Sequence, residues 1–341
     1  MTIVNRRYVL ATRPEGAPTV ANFRLEEQTI DPDRLAEGQV LVRNRFLSVD
    51  PYMRGRMNDG RSYAAPQALD QVMIGGTVGE VVATRHPRFA VGDQVALMGG
   101  WQEYAVADAT TRGAIRPVDG SAIPLSAYLG PVGMPGITAW IGLTRMIEPK
   151  AGETVVVSAA SGAVGSVVGQ LAKLRGLRAV GIAGGPAKCA HVRDELGFDA
   201  CVDYKAHPDQ RSLVHALKAA CPYGVDGIFE NVGGTILDAS MALTNDFGRI
   251  AICGMIAAYQ GDPIPMAAPL LILTRRLTVR GFIVSEHQTH WATAQAELAA
   301  HVASGKIRYH ETVSAGIEST PDAFFGLFEG RNLGKQLVRL Y

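Results

Sequence analysis

The feature that most constrains this chain is the segment 155–173, VVVSAASGAVGSVVGQLAK. It opens with three consecutive valines, a short β-branched run that reads as a strand buried on both faces of a parallel sheet. It then passes through a turn of small residues, 158–165, and continues with Val164, Val167, Val168 and Leu171 at helical spacing. Strand, small-residue turn and helix together form the element that holds a dinucleotide pyrophosphate. The backbone can approach the phosphates closely, and the helix N-terminus offers unbonded N–H groups and a partial positive charge. The usual glycine fingerprint is altered here, because Ala160 stands at its first position ahead of Gly162 and Gly165. A tight packing turn would use the same small residues, so the surrounding sequence has to decide between the two.

The next apolar segment, 177–183, ends in Gly184-Gly185, with Lys188 shortly after. An NAD site places an acidic residue about 20 residues beyond the glycine turn, where it accepts hydrogen bonds from the ribose hydroxyls. No acid stands at the end of this segment. A carboxylate would repel a 2′-phosphate and a lysine attracts one, so the pattern favours NADPH over NADH.

The 341 residues suffice for two domains, and a hydrophobic fraction of 47% supplies a sizeable core. The formal net charge of +1 gives no basis for binding nucleic acid or an anionic membrane surface. The N-terminal segment MTIVNRRYVL lacks the apolar stretch of a signal peptide, and runs such as 267–273 are too short to cross a bilayer. The chain therefore reads as soluble and cytoplasmic. Cys189, Cys201, Cys221 and Cys253 are widely spaced, unlike a zinc cluster or a disulfide framework.

Two styles of sequence follow one another. Up to about residue 125, short strands such as 40–43, 79–84 and 94–97 alternate with Gly- and Pro-bearing turns, as in an antiparallel barrel. From about Gly136, candidate strands at 155–157, 179–182, 200–202, 227–230, 249–253 and 277–282 alternate with helical segments. That alternation predicts an α/β, doubly wound parallel sheet. The domains are expected at 1–128 and 129–303, with the tail 304–341 returning to the first. An exposed apolar edge over 277–284 would be a liability in a monomer, so a homodimer is expected.

Several ordered motifs carry a resemblance: LSVDPYMRGRM at 47–57, GGWQEYAV at 99–106, GMPGITAW at 133–140 and the small-residue turn at 159–169. DYK at 203–205, ENVGG at 230–234, RIAICGMIAAY at 249–259 and GRNLGK at 330–335 complete the set. Over essentially its whole length the chain resembles the zinc-independent branch of the medium-chain dehydrogenase/reductase superfamily. Within that branch it is most similar to the prostaglandin reductase, leukotriene B4 dehydrogenase and alkenal double-bond reductase group. The resemblance implies a Rossmann domain for NADP and a GroES-like antiparallel β-barrel as the catalytic domain.

It further implies that Gly162, Ala163, Val164 and Gly165 hold the pyrophosphate, and that Lys188 and Tyr204 meet the 2′-phosphate. Asn231 lines the cofactor channel. Cys253, Gly254, Met255, Ile256 and Tyr259 lie along the loop under the nicotinamide half. Phe282, Ile283 and Val284 pass beside the nicotinamide, and Asn332 reaches the cofactor from the C-terminal segment. Zinc-dependent relatives need a first-domain cysteine, whereas this chain has none before Cys189 and reads Ser48-Val49-Asp50-Pro51-Tyr52 where the thiolate would stand. No metal is expected.

The expected reaction is hydride transfer from NADPH to the β-carbon of an α,β-unsaturated ketone or aldehyde. Tyr259 and Tyr52 are the candidate catalytic donors to the carbonyl oxygen. Arg54 and Arg56, beside Tyr52, could meet an acidic substrate tail and are left without a role. The Pro-rich stretch 261–269 reads as a cleft loop that limits substrate size. A quinone oxidoreductase of the same superfamily, or an NADPH-binding protein with little catalysis, are the alternatives.

Overall fold

The computed structural model describes residues 2–261 and 264–341. Asp262 and Pro263, part of the stretch read as a cleft loop, lie outside the described residues.

The N-terminal part is antiparallel β. Strands β1 (Ile3–Leu10) and β2 (Phe23–Ile30) pair in register from Ile3↔Ile30 to Leu10↔Phe23. Then follow β3 (Gln39–Ser48), a short helix α1 (Tyr52–Arg56), β4 (Thr77–Thr84), β5 (Gln94–Leu97), β6 (Tyr104–Asp108) and β7 (Ile115–Pro117). Strand β3 is central, pairing antiparallel with both β4 and β6. Register shifts in the β3–β4 ladder at Leu41/Val42 and Asn44/Phe46 bend the pair, as bulges do. The core beside this sheet is aromatic: Phe23 stacks on the fully buried Trp101 with ring centroids 5.1 Å apart.

The middle of the chain is α/β. Its elements are α2 (Met134–Ile141), β8 (Thr154–Ser158), α3 (Gly165–Leu174), β9 (Arg178–Ala183), α4 (Pro186–Ala190), β10 (Ala200–Asp203) and α5 (Gln210–Ala220). They continue with β11 (Val225–Glu230), α6 (Gly234–Met241), β12 (Thr244–Ile252), α7 (Leu270–Thr274), β13 (Thr278–Gly281) and α8 (Trp291–Ala303). The six strands run parallel in the order β10-β9-β8-β11-β12-β13, the doubly wound order expected from the sequence. The valine run of β8 shows why: Val155 and Val157 enter the core on one face of the sheet and Val156 enters the core on the other. Each is fully buried, and burying such a side chain stabilises by about 1.5–3 kcal/mol. Helix α3 turns Val167, Val168, Leu171 and Ala172 inward, and its Gly169 lies so close to Phe198 that a Cβ would run into the ring.

The last elements are β14 (Glu311–Ala315), α9 (Thr320–Glu329) and β15 (Lys335–Arg339). Strands β14 and β15 extend the N-terminal sheet, whose order is β14-β15-β3-β4-β5-β7. Two compact units result: Met1–Leu129 with Glu311–Asn332 and Gln336–Tyr341, and Gly130–His310 with Leu333–Lys335. The tail thus rejoins the first unit at Glu311, later than the expected residue 304. The reason is local: Arg308 exchanges two 2.8 Å hydrogen bonds with the Gln170 side chain of α3, and Ile307 is buried in the core of the second unit. Strand β13 is also shorter than the expected apolar strand, ending at Gly281, so that Val284 falls in a helical turn instead. Among the described residues no helix is long and apolar enough to cross a membrane.

Candidate active site

In the second unit the strand order reverses between β8 and β11, and ligands of such sheets lie beyond the carboxyl ends of the strands there. Ala159, immediately after β8, takes a left-handed φ of 48°, a sparsely populated state for a residue with a Cβ. This sharp turn brings the Ala159 carbonyl against Gly165, where a Cβ would also lie 3.0 Å from the Cα of Ala160. Glycine at 165 is therefore required by close approach. The carbonyl of Ala159 accepts from Gly162 N at 2.9 Å, and that of Gly162 accepts from Ser166 N at 3.0 Å. Gly162 and Gly334 form a parallel bridge that also engages the backbone at Ala163, while the amides of Val164 and Gly165 have no acceptor among the described residues. Two donors thus stand unused at the N-terminus of a ten-residue helix, the arrangement that receives a phosphate. Gly334 braces the turn, donating to Ser161 O at 2.9 Å, with a φ of 66°. Asn332, two residues earlier, is grouped with the first unit.

A cationic cluster forms at the ends of β9 and β10. The Asp203 carboxylate accepts from Gly185 N at 2.7 Å and from Lys205 N at 3.0 Å, which ties the two loops together. Above Gly184 lean Tyr204 and Lys205; a Cβ there would lie 3.1 Å from both the Tyr204 hydroxyl and the Lys205 Cε. Lys188, half-buried on α4, has its pKa lowered by burial and then by the positive charge of Lys205. Lys188 and Tyr204 are therefore brought together, and Lys205 joins them. The sequence reading passed over Lys205, although it directly follows Tyr204 in the same motif.

The ends of β11 and β12 carry the second half of the candidate site. Glu230 is fully buried, and its Oε1 accepts from Ser158 Oγ at 2.9 Å, Val232 N at 2.5 Å and Gly233 N at 2.7 Å. Its Oε2 has no partner among the described residues, and burial raises its pKa against the pull of those donors. Asn231 donates from its amide to Ser158 Oγ at 2.7 Å and from Nδ2 to Ser158 O at 2.8 Å, clasping β8 to β11. The loop after β12 is stitched onto this turn. Cys253 N and Gly254 N donate to Glu230 O, Ile256 N to Asn231 O and Ala257 N to Val232 O. Tyr259 folds back over the loop, its hydroxyl accepting weakly from Met255 N at 3.4 Å and lying 3.2 Å from where a Gly254 Cβ would stand. Burial, aided by Glu230, pushes the Cys253 thiol up to about 12, which keeps it protonated and unreactive. Phe282 is buried edge-on to Phe229 at 6.3 Å, while Ile283 and Val284 follow at half-exposed positions. The Glu230 clasp was missed by the sequence reading, which takes ENVGG as a family motif and singles out Asn231 alone within it.

In the first unit Tyr52 opens α1. Burial raises its pKa, with Asp50 adding to the rise. Asp50 is itself buried and accepts the Ser48 hydroxyl. Arg54 is buried and fully engaged, donating to Gly16 O at 2.6 Å and to Asn58 Oδ1 at 2.5 Å. Arg54 is thus a structural brace. Among the described residues no group of three or more His, Cys, Asp or Glu side chains is placed to hold a metal ion.

Comparison with known proteins agrees with this architecture. Residues 6–115 match a family model described as the N-terminal domain of oxidoreductase, and residues 163–300 match one described as zinc-binding dehydrogenase. The chain is 44% identical to the NADPH-dependent curcumin reductase of Escherichia coli, over 98% of this chain and 97% of that one. It is 39% identical to the NADP(+)-dependent 2-alkenal reductase of Nicotiana tabacum, over 98% and 97%. The structure of CurA from Vibrio vulnificus in complex with NADPH superposes with a TM-score of 0.90 at 43% identity, covering 98% of this chain and 99% of that one. Sequence, sheet order and relatives converge on one assignment: the chain belongs to the medium-chain dehydrogenase/reductase superfamily, in the zinc-independent group of prostaglandin and alkenal reductases.

Proposed function

We propose that this oxidoreductase reduces the activated C=C bond of α,β-unsaturated ketones and aldehydes with NADPH. The residues present fit that cofactor. The unused amides of Val164 and Gly165, in the small-residue turn of Gly162 and Ala163, suit a pyrophosphate, and Lys188, Tyr204 and Lys205 suit a 2′-phosphate. When bound, NADPH supplies the hydride. Asn231, Cys253, Gly254, Met255 and Ile256 form the floor of the nicotinamide half through backbone groups, with Phe282, Ile283 and Val284 beside it and Asn332 contributing from the C-terminal segment.

The observation that carries the reading is Tyr259, whose hydroxyl is held on the loop fastened to the ends of β11 and β12. A phenol there donates to the substrate carbonyl oxygen and stabilises the negative charge that grows on it as the β-carbon is reduced; removing one such donor costs about 10²–10³ in rate. Tyr52 is the other candidate donor. Its raised pKa keeps it protonated at neutral pH, so it acts as a hydrogen-bond donor rather than a base. The exposed edge strand β13, with Leu270 at 65% and Leu273 at 73% exposure on the preceding helix, supports a homodimer. The four free thiols suit the reducing cytoplasm.

The test is NADPH oxidation, followed at its absorbance band, with a medium-chain 2-alkenal, an aryl enone, a quinone and no acceptor, each repeated with NADH. Turnover of the alkenal or enone with NADPH supports the reading. Turnover of the quinone alone assigns the chain to quinone reduction, and binding of NADPH without turnover of any acceptor refutes the C=C assignment.

A further inference from the structure

The end of β9, where an NAD site would place an acid, holds Gly184-Gly185 instead, yet an acid stands one strand over. Asp203, the last residue of β10, is in register with Ala183, the last residue of β9. Its Oδ1 takes two backbone donors at once, Gly185 N at 2.7 Å and Lys205 N at 3.0 Å. That one oxygen fixes the starts of two lysine-bearing turns. Gly185, at a left-handed φ of 97°, caps α4, whose third residue is Lys188. Asp203 itself caps the helical turn Tyr204–Ala206, which contains Lys205. The two turns also interlock, since a Cβ on Gly184 would stand 2.9 Å from Tyr204 Cε1 and 3.1 Å from Lys205 Cε. The lysines feel each other, for the charge of Lys205 helps to lower the pKa of Lys188. Like charges repel, so the backbone that carries them has to be held where they meet. A charged acceptor shared by two amides is a strong tie for that purpose.

We propose that Asp203 is a positioning residue for cofactor selectivity: its shared oxygen sets the two turns so that Lys188 and Lys205 converge on one 2′-phosphate. An acid that accepts from the ribose hydroxyls favours the cofactor without that phosphate. Asp203 does the reverse, because its Oδ1 is committed to backbone amides and acts through the lysines those amides precede or carry. A ligand without the 2′-phosphate gains little from the convergence, so loss of Asp203 falls on phosphate-bearing ligands. A brace that served the fold alone would weaken both kinds alike. This inference rests on the reading of Lys188, Tyr204 and Lys205 as the 2′-phosphate cluster.

The test is calorimetric titration of the full-length protein with adenosine 2′,5′-bisphosphate and with 5′-AMP, which differ only in the 2′-phosphate. Wild type, D203A, D203N and D203E are compared, with folding checked by Tm. The wild type is expected to prefer the bisphosphate. D203A should lower that preference by roughly 10–100-fold, the worth of hydrogen bonds to a charged group. D203N keeps an oxygen for the two amides and should retain the wild-type preference. D203E keeps the charge but moves the oxygen by one methylene and should lose most of the preference, so it decides the matter if D203A does not fold. A preference unchanged in D203A or D203E, equal weakening of both ligands, or a D203N as poor as D203A overturns the proposal. A wild type that binds the two ligands alike refutes the cluster and the proposal with it. A preference lost in K188A but kept in D203A leaves the cluster standing and removes Asp203 alone.

Discussion

Replacing Glu230 by glutamine isolates the electrostatics of the clasp from its shape. The amide oxygen of Gln keeps the acceptor that serves Ser158 Oγ, Val232 N and Gly233 N, and the amide nitrogen takes the place of an oxygen that already lacks a partner. The two proteins therefore differ mainly in whether the group can ionise. Burial raises the folded-state pKa of Glu230 above its unfolded value of about 4.3. For such a group the stabilising contribution is fully present below the unfolded pKa and is lost as pH rises through the folded one. Wild type and E230Q should thus be equally stable near pH 4. The variant should then gain on the wild type by about 1.4 kcal/mol per pH unit until the folded pKa is passed, and by a constant amount beyond it. For a domain of this size that is roughly 2–4 °C in Tm per kcal/mol. Thermal unfolding of both proteins from pH 4 to pH 9 is the assay. A difference in Tm that is constant with pH, or a variant less stable than the wild type at pH 8, would refute a folded-state pKa raised by burial.

Three further outcomes are expected. Lys188→Ala should weaken NADPH binding by about 1.5–3 kcal/mol and leave NADH nearly unchanged, with Lys205→Ala acting in the same direction; equal losses for both cofactors by fluorescence titration would remove the 2′-phosphate role. Gly165→Ala should lower stability by about 1–3 kcal/mol, because the new Cβ meets the backbone of Ala159 and Ala160 rather than a side chain that could swing away, and chemical denaturation measures it. Tyr259→Phe should lower kcat for enone reduction by about 10²-fold with circular dichroism unchanged; an unaltered kcat would take Tyr259 out of the reaction.

The parts of this molecule that were legible in sequence share a physical origin: their residue types are forced by backbone placement. Three consecutive valines are needed where a strand is covered on both faces, and Gly165 is needed where a carbonyl presses on a helix. The candidate strands of the doubly wound sheet could be read for that reason. What stayed hidden depends on which segments meet. Lys205 gains its meaning only because β9 and β10 are neighbours and Asp203 ties their loops. The extension of the second unit to His310 depends on a single glutamine of α3. Glu230 is the sharpest case. On the page it is one acid ahead of a glycine turn, and acids are ordinarily solvated. In the fold it is wholly buried, gathers three donors from two strand ends, and its backbone carbonyl receives two more from the loop that carries Tyr259. A hydrophobic residue there would leave the Val232 and Gly233 amides and the Ser158 hydroxyl without that acceptor, each at about 1–3 kcal/mol. An acid fits this position because the turn after β11 needs an acceptor more than the core needs another apolar side chain.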